Sequence, residues 1–364
     1  MKNVTGIGNY SRGVVQALSK YYPDNDYLLF APTEKDTPAK ARLKVTDNIS
    51  YVYPRKQWPL IGSELWRVSG ITSDIRRCGV DIFHGLSNEL PYGICRAGCR
   101  SVVTIHDLIF LRLPNTYSIT AREILRAKTR YACTHADAIV AISERTKSDI
   151  IDLYGIDPAK IHLVYQGCDP IFSIPVSEGE IADVRQRFGI TGRYLLSVGT
   201  IQERKNQLAC VEALRLLPDD IKLVLVGKGD VYIEKVRKAA ACGLSERVMF
   251  LSDFPHPLLP ALIKGCSAFL YPSRYEGFGI PILEAMTVGV PVVAATGSCL
   301  EEVGGDAALY SDPDDYSSLA SNIRLILSDS AKARAMVEAG LQRTALFTPE
   351  VIASNLMSVY RSVL

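Results

Sequence analysis

The sequence has no apolar run approaching the ~18 residues needed to span a bilayer, and its start lacks the basic-then-apolar pattern of a secretory signal. A cytoplasmic protein is the expectation. There is no CxxC pair: nine cysteines, an odd number, are scattered along the chain, which argues against a disulfide framework and reads as reduced thiols. There is no HExxH either, and the five histidines show no His/Cys spacing suited to zinc. Neither a metal nor a cofactor is expected. Charge of one sign is also lacking: 41 basic and 39 acidic residues leave a net +2, without the field that marks a nucleic-acid binder, so any anion must be met locally. Low-complexity tracts and repeats of solenoid length do not occur.

What is present is a 364-residue chain, 48% hydrophobic and 22% charged, a globular composition long enough for two domains at roughly 150 residues each. Short β-rich apolar runs alternate with helical patterns, the signature of parallel sheets covered by helices. The class is α/β. Strands are expected at 27–30, 49–52, 82–84, 101–105, 138–142 and 161–164, then at 194–198, 222–226, 248–251, 268–271, 290–294 and 308–310. Residues 1–171 read as a first domain and 172–347 as a second. The hinge lies in 166–177, rich in Gly and Pro, with a polar stretch before a new amphipathic pattern opens at Arg185. A final helix over 348–364, announced by Thr348, Pro349 and Glu350, is expected to cross back to the first domain.

The start departs from this scheme. A doubly wound domain opens with a buried strand leading into its first Gly-rich turn, yet only Met1 to Thr5 precede Gly6-Ile7-Gly8. The first strand is expected to be missing, through a misassigned start or a damaged gene.

The densest chemical signal is Tyr271-Pro272-Ser273-Arg274-Tyr275-Glu276-Gly277-Phe278-Gly279-Ile280-Pro281, a strand end, a glycine-bearing loop and a proline suited to the first turn of a helix. Gly277 and Gly279 permit close backbone approach, and the N–H groups at the helix start favour a phosphate. Glu276 is placed to accept hydrogen bonds from sugar hydroxyls, and Glu284, about one turn into the helix, from a ribose diol. A second element, Gly199-Thr200-Ile201-Gln202-Glu203-Arg204-Lys205-Asn206, also follows a strand, where open α/β sheets bind ligands. Its Arg204 and Lys205 offer fixed positive charge for a diphosphate.

Together these motifs, with His106-Asp107-Leu108, Gly6-Ile7-Gly8-Asn9-Tyr10-Ser11-Arg12 and Gly305-Asp306-Ala307-Ala308-Leu309-Tyr310, resemble the retaining, nucleotide-sugar-dependent glycosyltransferases of family 4 over nearly the whole chain. The resemblance implies the GT-B fold, two Rossmann-like doubly wound domains facing each other across a cleft. It implies catalysis without a metal, by front-face attack assisted by the leaving phosphate. It gives Glu276 to the transferred sugar, Glu284 to the ribose, and Arg204 and Lys205 to the diphosphate. Further donor contacts are implied along Gly6, Gly8, Gly199, Thr200, Gly277, Phe278, Gly279 and Ile280. His106 is implied near the reacting sugar, with Asn9, Tyr10 and Asp107 on the acceptor side.

Thr200 stands where many relatives carry Arg. A mannosyltransferase-like subgroup shares it, so phosphate binding shifts onto Arg204 and Lys205 and the donor leans to GDP-mannose. Leu300-Glu301-Glu302 replaces a frequent Leu-Pro-Glu. The expected partners are a nucleotide-sugar donor and a glycan or lipid-linked glycan acceptor in cell-surface polysaccharide synthesis. The other readings are a nucleotide-sugar epimerase and a non-catalytic sugar-nucleotide binder. A nicotinamide dehydrogenase is disfavoured because Ser11 stands where the third glycine belongs.

Seven basic residues (Arg96, Arg100, Arg112, Arg122, Arg126, Lys128 and Arg130) against Asp107 and Glu123 make a local surplus. Such a surplus suits peripheral contact with an anionic membrane at its inner face as well as it suits a solvated helix face. Trp58, Leu60, Ile61 and Trp66 read either as an apolar membrane- or acceptor-facing surface or as core.

Overall fold

The computed structural model describes residues 6–35, 38–54 and 62–364; Met1 to Thr5, Trp58, Leu60 and Ile61 lie outside them. The chain divides into unit 1, Met1–Gly167 with Phe347–Leu364, and unit 2, Cys168–Leu346.

In unit 1, β1 (Tyr27–Phe30) and β2 (Ile49–Val52) pair in parallel as a sheet of two. A separate parallel sheet runs in the order β3 (Ile82–Gly85), β4 (Arg100–Ile105), β5 (Ala138–Ala141) and β6 (Ile161–Leu163). Val102, Val103, Ile139 and Val140 have no exposure, as strands covered on both faces require. One face is covered by the first helix, Gly6–Tyr21, and the C-terminal helix, Pro349–Val363, through Tyr10, Val14, Leu18, Ile352 and Leu356. Thr348 caps that last helix by accepting from the Val351 N–H, with Pro349 opening it. The other face carries Trp66, Ile71, Ile75 and Ile150.

Trp66 is therefore core, 2% exposed, its indole N–H donating to Asp74 at 2.9 Å. It offers no membrane-facing surface, because burial removes 98% of it from solvent. The basic surplus is likewise reduced by acids from elsewhere in the chain: Arg112 pairs with Asp149 and Asp152, Arg100 with Asp137, and Lys128 with Glu89. No helix among the described residues is long and apolar enough to cross a membrane.

Unit 2 holds one unbroken parallel sheet of β7 (Arg193–Val198), β8 (Ile221–Val226), β9 (Val248–Leu251), β10 (Ala268–Tyr271), β11 (Val292–Ala295) and β12 (Ala308–Ser311). Its spatial order is β12-β11-β10-β7-β8-β9. This is the doubly wound order, with a topological switch point between β7 and β10. The polar stretch ahead of Arg185 is not a linker: the helix Glu178–Phe188 already starts there. Ser177 and Glu180 form a capping box and Ile181 and Val184 are buried, which fixes the earlier start.

Candidate active site

Two loops leave the carboxyl ends of β7 and β10 on either side of the switch point. The first turns at Gly199, whose φ is 143°. A Cβ on the neighbouring Gly227 would sit 2.1 Å from the Gly199 carbonyl oxygen, so only glycine fits there. The loop continues through an exposed Thr200 into a single 3₁₀ turn, Glu203–Lys205, and ends at Asn206 in the left-handed region. Asn206 donates through its side chain to the Pro313 carbonyl at 2.8 Å. The second loop is stitched to the first: the Arg274 N–H donates to the Arg204 carbonyl at 2.8 Å, and Arg204 donates through Nη1 to the Tyr275 carbonyl at 2.5 Å. Arg274 is anchored in turn by both oxygens of Asp314, at 2.9 and 2.5 Å.

This stitching gathers charge on one atom. Glu276 Oε1 lies 2.9 Å from Arg204 Nη1 and 2.5 Å from Lys205 Nζ, and accepts from the Ser273 hydroxyl at 2.6 Å and the Tyr271 hydroxyl at 3.1 Å. Lys205 also donates to the Tyr271 oxygen and sits over its ring, 4.8 Å from the centroid. Burial pushes the Glu276 carboxyl up, but Lys205, Arg204 and the Ser273 hydroxyl outweigh it and hold the group at about 2. Burial pulls the Lys205 ammonium down, with Glu276 opposing. The site therefore holds a buried carboxylate and two cations, a net positive cluster suited to a polyanion.

Beyond this cluster the loop is closed by Cys299, whose thiol donates to the Glu276 and Phe278 carbonyls at 3.2 and 3.0 Å. Gly277, Phe278 and Gly279 are buried. Gly279, with φ 110°, is the N-cap of the helix Ile280–Val288, and a Cβ there would meet Leu300 at 2.6 Å. No side chain caps this helix start, Pro281 lies in its first turn, and Ile280 stands at its mouth. Glu284 follows on the helix, half-buried. Burial, with Asp169 adding to it, raises its carboxyl to about 8, so it is largely protonated at neutral pH and able to donate as well as accept. Glu301 braces the adjoining loop through the Thr296 hydroxyl at 2.5 Å and the Gly297 N–H at 3.0 Å, so glutamate in place of the frequent proline still orders that turn.

The remaining predicted residues lie in unit 1 and form a set of their own. His106 follows β4, 5% exposed, with its main-chain N–H donating to Asn88 Oδ1 at 2.7 Å. Its Nε2 is 2.9 Å from the Leu86 carbonyl, which can only accept, so that nitrogen carries the proton. Burial lowers the imidazole to about 4 and leaves it neutral. Tyr10 packs edge-on against it at 4.7 Å and shares a hydrogen bond with Thr104 at 3.0 Å. Being buried and engaged in this way, Tyr10 orients His106 and does not present a hydroxyl to an acceptor. Asp107 accepts from the Ile109 N–H at 3.1 Å, and Asn9 accepts from Arg12. Gly6 and Gly8 do not form a loop: they are the first turn of the opening helix.

Sequence reading passed over Tyr271, Ser273, Cys299 and Asp169. The first two lie inside the quoted motif, five and three residues before the glutamate and brought to it by the folded-back loop, a proximity no helical or strand period encodes. Cys299 and Asp169 reach the site only through the tertiary fold.

Comparison with known proteins places these observations. A family profile described as Glycosyltransferase Family 4 matches residues 4–171, and one described as Glycosyl transferases group 1 matches residues 181–343. The O-antigen chain mannosyltransferase B of Escherichia coli is 30% identical over 289 residues, covering 77% of this chain and 74% of its own. Among solved structures, Anabaena HepE in complex with UDP and glucose aligns with a TM-score of 0.75 at 20% identity, over 100% of this chain and 97% of that one. Sucrose-phosphate synthase from Thermosynechococcus elongatus aligns with a TM-score of 0.77 at 22% identity, over 99% and 94%. The fold is that of these GT-B proteins.

Proposed function

This chain belongs to glycosyltransferase family 4, and from that premise we propose that it moves mannose from GDP-mannose to a glycan or lipid-linked glycan acceptor in cell-surface polysaccharide synthesis. In this reading the transfer retains anomeric configuration and needs no metal. The observation that carries it is the single carboxylate oxygen of Glu276 holding Arg204 and Lys205 at the switch point of the unit 2 sheet. Support for mannose comes from Thr200 after Gly199 and from the mannosyltransferase named above.

Without donor, Glu276 is the counter-ion of both cations. A nucleoside diphosphate competes for those cations, and the carboxylate is then released toward the sugar hydroxyls. As the bond to the sugar breaks, charge grows on the departing diphosphate, and two preorganised cations with the open helix start stabilise it where it develops. Glu284 binds the ribose diol, and neutral His106, oriented by Tyr10, faces the reacting sugar, with Asn9 and Asp107 on the acceptor side. A lipid-linked acceptor implies peripheral membrane contact, which co-sedimentation with anionic liposomes tests.

The deciding experiment is a donor panel of GDP-mannose, UDP-glucose, UDP-galactose and UDP-GlcNAc, scored by thermal shift and by release of nucleotide. GDP-mannose is expected to give the largest shift and acceptor-stimulated release. A preference for a uridine donor overturns the donor assignment. Conversion of the sugar without acceptor, as an epimerase performs, overturns the transfer, and so does tight binding without turnover on any acceptor.

A further inference from the structure

The turn that follows β3 holds His106, and two of its bonds come from a single side chain. Asn88 Oδ1 accepts from the His106 main-chain N–H at 2.7 Å, and Asn88 Nδ2 donates to the Asp107 carbonyl at 3.3 Å. A main-chain N–H can only donate and a carbonyl can only accept, so these two partners fix which way the carboxamide faces. Between that N–H and that carbonyl lie the soft φ and ψ torsions of His106 and Asp107, and the side chain closes a ring across them. Those torsions aim the imidazole.

Two further bonds complete the hold. The Leu86 carbonyl, from the same turn, takes the His106 Nε2 proton at 2.9 Å, and the Thr146 hydroxyl donates to the His106 carbonyl at 3.3 Å. Asn88 is itself tied to the strand that leads to His106, its main-chain N–H donating to the Thr104 carbonyl at 2.9 Å. The turn is tight: a Cβ on Gly85 would collide with the Glu89 carbonyl oxygen, and Asn88 takes a left-handed φ of 56°. Among the described residues the other non-glycine with positive φ is Asn206, which ends the loop carrying Lys205. Strain of this kind persists where the surroundings hold it in place, as they do at sites of function.

Position 88 thus makes two demands. The left-handed conformation favours glycine, asparagine or aspartate. The clamp needs one donor and one acceptor on a short arm, and of those three residues asparagine alone supplies both.

We propose that Asn88 is a positioning residue for the transfer: by bracing the main chain across His106 and Asp107 it holds the imidazole against Leu86, with the proton on Nε2 and a lone pair on Nδ1. This rests on the reading given above, in which His106 faces the reacting sugar. A misplacement of about 1 Å costs on the order of 10²-fold in rate, so a clamp on torsions reaches turnover without touching the donor.

Two variants separate the clamp from the turn. Asn88→Gly keeps the left-handed conformation and removes both bonds, whereas Asn88→Asp keeps the acceptor and removes the donor. With GDP-mannose, Asn88→Gly is expected to lower kcat by roughly 10- to 100-fold while the donor KM stays within about twofold, and Asn88→Asp to fall between it and the wild type. The second readout needs no turnover: nitrogen NMR of histidine-labelled protein, with the His106 signals assigned through His106→Gln. The wild type is expected to show the proton on Nε2. In Asn88→Gly the two His106 ring nitrogens are expected to move toward each other as the tautomers mix, while those of His135, His162 and His256 stay in place. Wild-type kcat in Asn88→Gly overturns the proposal, as do unmoved His106 nitrogens or a loss that lies wholly in donor KM. A wild type without turnover on any donor would end the transfer reading instead, and the His106 nitrogens would then decide the clamp by themselves.

Discussion

Unit 2 spreads six strands into one sheet, while among the described residues of unit 1 the same number divides into two and four. The strands that border the division, β1 and β3, are mostly half-buried, whereas β4, β5, β10 and β11 are almost wholly covered. The difference teaches that a parallel sheet depends most on the strand that sits between its two winding directions. In unit 2 that strand leads into the turn that sets Arg204 and Lys205 at the switch point. In unit 1 the described residues form a sheet of two, β1 and β2, and a separate sheet of four, β3 to β6. One unit therefore gathers two cations on one buried carboxylate, and the other a set of supports around His106.

The comparison can be broken most directly at Glu276. Glu276→Gln removes the counter-ion of two buried cations and should cost about 3–5 kcal/mol of stability, measured by urea unfolding followed by circular dichroism. Both tryptophans, Trp58 and Trp66, belong to unit 1, so fluorescence reports that unit alone. Its transition should stay in place; an equal shift in both signals would show that the units do not differ in the way described.

Lys205→Ala should lower turnover by roughly 10²–10³-fold in a GDP-mannose assay while the fold survives, since Arg204 still neutralises Glu276. Wild-type rates would remove Lys205 from the reaction. In unit 1, Trp66→Phe leaves Asp74 without one buried donor and should cost about 1.5–3 kcal/mol, seen as a lower midpoint in unit 1. An unchanged midpoint would show that Arg77, already 2.9 Å from Asp74, suffices.

The smallest and sharpest contrast is in pH. Burial lowers His84 to about 3 and His106 to about 4, from 6.5 unfolded. The unfolded chain then binds more protons between those values, so unit 1 gains stability as pH rises toward 6.5 and loses it on acidification. Glu284 has the opposite sign: its folded value of about 8 lies above 4.5, so the folded state binds the extra proton and unit 2 loses stability as pH rises from 4.5 to 8. Glu276, held at about 2, adds stability to unit 2 that disappears only below 4.5. Fluorescence should therefore report the weaker unit near pH 5, and unit 2 should weaken relative to it by pH 8. Glu284→Gln should flatten that second slope; parallel profiles for both units would contradict the assignment.

All twelve expected strands exist, with ends displaced by at most two residues, because fully covered parallel strands are written as unbroken apolar runs. The loops carrying Glu276 and Lys205 were equally legible, since glycine, proline and charge must stand at fixed offsets where a strand turns into a helix. Polar residues misled where a capping box made them helical, as over 178–184. Aromatics were ambiguous: nothing in local spacing distinguishes a buried Trp66 from an exposed one.

By itself the sequence determined the alternation of strand and helix, the two glycine-bearing turns and the charged residues they carry, all of which depend on neighbours along the chain. Tertiary structure alone decided that four donors converge on one oxygen of Glu276, that burial, with Asp169 adding to it, keeps Glu284 protonated, and that Trp66 lies in the core. Those depend on distances between segments far apart in sequence, and on the low dielectric that only burial creates.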